Sequence, residues 1–308
     1  MKLLLSKPRG FCAGVVRAIE IVEKALEKWG APIYVKHEIV HNRHVVEGLR
    51  KKGAVFVEEL KEVPPGSYLI YSAHGVPPSI REEAKERKLI EIDATCGLVT
   101  KVHSAAKRFA QKGYHIILIG HRNHVEVIGT AGEAPEETII VESCADVETL
   151  PFTQEDKLFY VTQTTLSLDD VADITDALKC KYPQIETLPS ASICYATTNR
   201  QTALREIAQQ TDLVLVVGDP TSSNSNRLRE TAIKRGVNAY LINVPDEIQS
   251  QWLEGVETIG LTAGASTPEN IVQSCIDRLV QLGVKEVQDV IHTTEDVVFN
   301  LPKQLLEI

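Results

Sequence analysis

Three times along this chain an apolar run leads into a cysteine and a helix-like stretch follows at once. Leu3-Leu4-Leu5 runs into Pro8-Arg9-Gly10-Phe11-Cys12-Ala13-Gly14 and then Val15 to Trp29. Leu89 to Cys96 is followed by Leu98 to Lys112, and Leu188 to Cys194 by Thr198 to Gln210. About 30 residues after each cysteine, a strand-like run ends in a polar cluster: His41-Asn42-Arg43, His121 to Glu126, and Ser222 to Arg227. Roughly 60–70 residues after it, another run ends in a second cluster: Ser72-Ala73-His74-Gly75, Thr162-Gln163-Thr164-Thr165, and Thr262 to Ser266. Strands that alternate with helices pair in parallel, with both faces covered. Ligands of such sheets sit beyond the carboxyl ends of the strands, where all nine of these turns fall. The expectation is an α/β chain of three small pseudo-repeated domains with parallel sheets that share one central site. The expected divisions are 1–96, 97–193 and 194–282, with a tail over 283–308 that packs back on the first.

The net charge of −9 and the lack of a long basic run argue against a nucleic-acid partner. No apolar stretch approaches the roughly 20 residues that span a bilayer, so no membrane association is expected. The chain opens almost directly in a strand, which leaves no signal or transit segment to expect. Six cysteines are too sparse for a disulfide framework in 308 residues, and a cytoplasmic setting would keep them reduced. The expected location is cytoplasmic.

Cys144, Cys180 and Cys275 read as small structural residues. Cys12, Cys96 and Cys194 occupy equivalent places in the repeat, at strand-to-helix turns that favour a thiolate. Three thiolates about a pseudo-threefold axis make a soft site, suited to an iron–sulfur cluster or to zinc, with one metal position left open. The absence of a CxxC pair argues against a zinc ribbon. His41, His74 and His124 lie at matched loops, and Ser222, Ser223, Asn224 and Ser266 join them from the third unit. Such donors with glycine-rich backbone suit a phosphate or diphosphate, although the serine-rich segment also reads as a helix cap. Glu126 is a general acid candidate, and Thr164 and Thr165 would orient a substrate hydroxyl. Asn42, His121 and Gln163 rank second. His37, His44, His103, His115 and His292 are left outside the site.

Taken together, these motifs resemble the 4-hydroxy-3-methylbut-2-enyl diphosphate reductase family. The likeness runs from Lys2 to about Leu282 and rests on eight motifs. Four are Pro8 to Gly14, His41 to Arg43, Ser72 to Gly75 and Asp93 to Cys96. The others are Thr162 to Ser167, Cys194-Tyr-Ala-Thr-Thr-Asn-Arg200, Ser222 to Arg227 and Thr262 to Ser266. The resemblance implies a trefoil around a [4Fe–4S] cluster with three cysteine ligands, Cys12, Cys96 and Cys194, and one open iron for the substrate hydroxyl. It implies that His41, His74, His124, Ser222, Ser223, Asn224 and Ser266 hold the diphosphate. Glu126, with Thr164 and Thr165, would supply the proton that releases the hydroxyl as water. A ferredoxin or flavodoxin would deliver the electrons, and isopentenyl and dimethylallyl diphosphate would be the products.

The chain departs from the family pattern at Gly97 and Val125, where proline is usual, and at Ile128, where glutamate is usual. A proline at the first helical position would pre-organise the turn. Two rival readings use the same residues. One is a zinc-dependent hydrolase with Glu126 as base; the other is an iron–sulfur sensor without turnover.

Overall fold

The protein, seen here as a computed structural model, is described over residues 1–190 and 192–306. Ala191, in the apolar run before the third cysteine, and residues 307–308 of the expected tail lie outside the described residues. Strand β1 (Lys2–Lys7) opens the chain. Strands β2 (Ile33–Lys36), β3 (Ala54–Val57), β4 (Tyr68–Tyr71) and β5 (Ile90–Asp93) form a sheet in the order β3-β2-β4-β5. Strands β6 (His115–Ile119), β7 (Thr138–Val141), β8 (Leu158–Thr162) and β9 (Glu186–Thr187) form a second sheet, ordered β7-β6-β8-β9. Strands β10 (Leu213–Val217), β11 (Asn238–Ile242), β12 (Thr258–Ala263) and β13 (Glu286–Ile291) take in β1, giving β11-β10-β12-β1-β13.

Every pairing is parallel. The three sheets repeat one strand order, and in the third β1 stands where β5 and β9 stand in the others. Those three strands are the ones that lead into Cys12, Cys96 and Cys194. The chain is α/β with three parallel sheets, and its cysteine turns are one structural position occupied three times. Strand β9 is only two residues long and ends before Leu188, short of the run expected there. Pro189 lacks an N–H and cannot extend the ladder.

The chain divides into two compact units. The first comprises Met1–Val15, His41–Val45 and Tyr195–Val298, and contains the five-stranded sheet; the second comprises Val16–Val40, Val46–Cys194 and Phe299–Ile308, and contains both four-stranded sheets. In the first unit all of β10 is buried, because helices cover both faces of its sheet. Side chains alternate across a strand, so Leu213, Leu215 and Val217 enter one core while Val214 and Val216 enter another. Strands β6 and β8 of the second unit divide likewise. Ile117, Ile119, Leu158 and Tyr160 face one cluster, and Ile116, Leu118, Phe159 and Val161 face the other. These apolar runs fix the register, since a one-residue slip would exchange the two faces of each strand. Among the described residues no helix is long and apolar enough to cross a membrane.

Phe159 is fully buried in β8 and stacks on Phe109, with ring centroids 3.6 Å apart. Phe159→Ala is expected to lower the unfolding free energy of metal-free protein by about 3–5 kcal/mol, read from urea titration.

Candidate active site

A single hydrogen bond recurs at all three cysteines. The Cys12 amide donates to the Ala265 carbonyl at 3.1 Å, the Cys96 amide to Ala73 at 3.0 Å and the Cys194 amide to Thr164 at 3.1 Å. In each case the acceptor lies in the second polar cluster of the same unit's sheet. The sulfur-bearing turn and the polar loop are therefore joined backbone to backbone at the carboxyl edge. Cys96 precedes the helix Gly97–Ala110 as its cap, and Cys194 immediately precedes the helix Tyr195–Ala208. All six cysteines are free.

The donor set fits a soft metal centre. Cys12, Cys96 and Cys194 are half-buried, which combines limited solvent access with room for a ligand, whereas Cys144 and Cys180 are exposed. Cys275 is buried, and burial first, with the Glu247 charge second, pushes its thiol up to about 12. It stays protonated and inert. Burial also raises the Tyr195 phenol to about 12, helped by the charge of Cys12. Its oxygen accepts the Ala13 N–H at 3.3 Å, just after the first cysteine.

In the second unit Glu126 is 2% exposed and both of its oxygens are engaged. Oε1 accepts the Thr164 N–H at 2.6 Å and Oε2 accepts the Thr164 hydroxyl at 3.1 Å. His124 caps the helix Val125–Ala131, its Nδ1 accepting the Glu126 N–H at 3.2 Å. That bond leaves the ring hydrogen on Nε2 when the imidazole is neutral. The His74 ring meets His124 edge-on at 6.0 Å, and its Nδ1 lies 3.2 Å from the Ser72 hydroxyl. Next to His74, Gly75 has φ +78°, and an added Cβ would come 2.9 Å from His103. Gln163 is buried; its amide donates to Thr165 Oγ1 while its oxygen accepts the His121 N–H, both at 3.1 Å. Thus His74, His124, Glu126, Thr164, Thr165, Cys96 and Cys194 belong to one unit.

In the first unit are Cys12, His41, Ser222, Ser223, Asn224 and Ser266. Ser222 caps the helix Ser223–Lys234, its oxygen accepting the Ser225 N–H at 3.3 Å. Asn224 Oδ1 accepts the Ala265 N–H at 2.9 Å, and Ser266 Oγ donates to the His41 carbonyl at 2.9 Å. Two of the expected anion donors thus brace the cysteine and histidine loops. Asp219 accepts the Arg43 N–H at 2.9 Å and holds the same loop. Burial opposes its charge, but hydrogen bonds from Thr221 and Arg43 outweigh it and keep the carboxyl below the usual range. Asn42 Oδ1 accepts the Val45 N–H at 3.3 Å.

The histidines set aside have partners of another kind. His44 meets the Asn243 carbonyl, His103 pairs with Glu133, His115 stacks on Phe152 and His292 pairs with Glu206. His37 pairs with Glu58 and touches His74 edge-on at 6.1 Å. His121 is partly exposed, its Nδ1 3.7 Å from Glu142 Oε1. At Gly97 an added Cβ would come 3.1 Å from the Phe299 ring, so that ring rests where a larger residue would project. Sequence reasoning gave no role of their own to Asp219, Ser72, Tyr195 and Arg200. The last two stand in the Cys194 motif, where a charged residue on a helix rich in small residues is the signal.

A family model described as LytB protein matches residues 3–280. A relative from Protochlamydia amoebophila named 4-hydroxy-3-methylbut-2-enyl diphosphate reductase is 71% identical over 306 residues, covering 99% of this chain and 98% of its own. A relative of the same name from Chlamydia trachomatis is 65% identical over 99% of each. A solved structure described as E-1-hydroxy-2-methyl-but-2-enyl-4-diphosphate reductase from Plasmodium falciparum matches with a TM-score of 0.97 at 53% identity, covering 99% of this chain and 96% of its own. Another, described as (E)-4-hydroxy-3-methyl-but-2-enyl diphosphate reductase, the terminal enzyme of the non-mevalonate pathway, matches with a TM-score of 0.65 at 31% identity, covering 91% and 100%.

The helix start that carries Ser222 to Asn224 depends on two glycines. A Cβ at Gly264 or Gly218 would come 2.0 or 2.2 Å from Ser225 Oγ, a fully buried hydroxyl without a hydrogen-bond partner. Gly264→Ala is expected to destabilise the protein by about 1–3 kcal/mol. Ser225→Ala alone should be close to neutral and should relieve most of the Gly264→Ala loss, as measured by a double-mutant cycle of unfolding.

Proposed function

Because the chain belongs to the LytB protein family, we propose that it is an oxidoreductase that converts 4-hydroxy-3-methylbut-2-enyl diphosphate to isopentenyl and dimethylallyl diphosphate. The observation that carries the assignment of its acid is the buried Glu126 carboxyl, held by the backbone and hydroxyl of Thr164. In the reaction the allylic C–O bond breaks and the oxygen leaves as water. Two electrons enter the allylic fragment, and a second proton forms the new C–H bond at one end or the other.

Family identity implies an iron–sulfur cofactor, and we assign it as a [4Fe–4S] cluster held by Cys12, Cys96 and Cys194 with one iron open. When bound, that group supplies electrons one at a time and a Lewis-acidic site for the hydroxyl oxygen. Glu126 Oε2 holds the proton beside Thr164 Oγ1, and the rotatable threonine hydroxyl passes its own hydrogen to the departing oxygen. Burial of Glu126 keeps bulk water from competing for that proton. His124, with its hydrogen on Nε2, donates to the diphosphate, and His41 and His74 donate to the same group. Ser222, Ser223, Asn224 and Ser266 supply neutral donors, and the first three sit at a helix N-terminus, where anions are favoured. Thr165, fixed by Gln163, orients the substrate near its hydroxyl end. We assign a ferredoxin or flavodoxin as electron donor and the cytoplasm as location, in keeping with six free cysteines.

The function is tested by iron, sulfide and zinc analysis of anaerobically purified protein. About four irons and four sulfides are expected, whereas zinc alone, with no iron taken up on reconstitution, would overturn the reading. Glu126→Gln should keep the cluster and bind substrate yet lose about 10²–10⁴-fold in turnover. Near-normal turnover would remove Glu126 as the acid.

A further inference from the structure

Arg200 is the largest fully buried side chain among the described residues. A guanidinium cannot give up its proton, so its charge is permanent. It donates to the Gly10 carbonyl twice, from Nη2 at 2.8 Å and from Nε at 3.2 Å, and to the Ala196 carbonyl from Nη1 at 3.0 Å. Its counter-charge comes from Glu295, whose Oε1 is 3.0 Å from Nη1 and whose side chain is 13% exposed. Asn199 donates to the same oxygen at 3.0 Å. Glu295 follows β13 in a stretch without helix or strand, and nearby Val298 is 85% exposed. An extended, solvent-facing segment thus places one carboxylate on one buried cation.

The carbonyl so engaged belongs to the residue two positions before Cys12. Gly10 has φ +68°, its N–H donates to the Ala263 carbonyl at 3.3 Å, and a Cβ there would come 3.3 Å from the Thr267 carbonyl. The Gly10 peptide groups are therefore held from both sides, on one by β12 and on the other by Arg200. The Cys96 turn is held by a different, less buried arginine, Arg17, whose Nη1 donates to the Thr95 carbonyl at 3.1 Å.

We propose that Arg200 and Glu295 are positioning residues that hold the Cys12 turn in the arrangement needed to ligate metal, so that Glu295, in the segment after β13, serves as a clasp on that turn. Without the Glu295 charge, the buried guanidinium is left uncompensated and draws in water, and the Gly10 peptide is released with it. A purely structural pair would loosen the whole protein instead.

The inference rests on Cys12 as a cluster ligand, but its test uses metal-free protein and does not depend on the cluster. Variants are exposed to limiting iodoacetamide under reducing, anaerobic conditions, and alkylation of each cysteine is read by peptide mass spectrometry. Exposed Cys144 and Cys180 serve as references. Glu295→Gln is expected to raise alkylation of Cys12 about fivefold or more while Cys96 and Cys194 stay within about twofold. Glu295→Asp, which keeps the charge on a shorter stem, should give a smaller rise at the same cysteine, and it carries the test if the glutamine variant does not fold. An unchanged Cys12, an equal rise at all three cysteines, or failure of both variants to fold would overturn the proposal. Cys12→Ala that retains full iron would instead overturn the ligand assignment, which separates the two failures.

Discussion

The structure depends first on the hydrogen bond from each cysteine amide to the second polar loop of its sheet. A cysteine in a strand-to-helix turn has freedom of direction unless its backbone is tied. Here the tie goes to the carboxyl end of a neighbouring strand, so the rigidity of a buried parallel sheet passes to the sulfur. Because the strand order repeats, the tie repeats, and the three turns share one local geometry. The polar loop that accepts the bond is also the loop that carries Thr164, Ser266 or His74. The proposed metal ligand and the residues proposed to face the substrate are thereby set by the same contact.

Glu126, the proposed acid, is positioned by burial and by its bonds to Thr164. Thr164 gives Glu126 one backbone and one hydroxyl donor. A carboxyl held in this way has little rotational freedom. His124 completes the arrangement through its cap on the Glu126 amide, which orients the helix start and the imidazole together.

The two hydroxyl-rich loops of the first unit are braced by their own polar side chains. Ser266 Oγ and Asn224 Oδ1 are bonded to backbone, which satisfies both polar atoms. Asp219, with its carboxyl held below the usual range, keeps the His41 loop on the end of β10.

Much of this was legible in sequence. Cysteines at repeat-equivalent turns, polar clusters at strand ends and β-branched strand cores are local signals, and they survive folding because parallel sheets place strand ends on one edge. Glu126, Thr164 and the histidines stood out for the same reason. Pairing decided the rest. That β1 lies between β12 and β13 depends on strands more than 250 residues away in sequence. The ion pair of Arg200 with Glu295 spans 95 residues and has no local signature. Ser225 wedged between Gly218 and Gly264 is legible only once β10 and β12 are neighbours. Sequence by itself determined which residues could bear the chemistry, since side-chain type and local period fix that. Tertiary structure decided which backbone each of them is tied to, because those ties come from non-local pairing that no window of sequence contains.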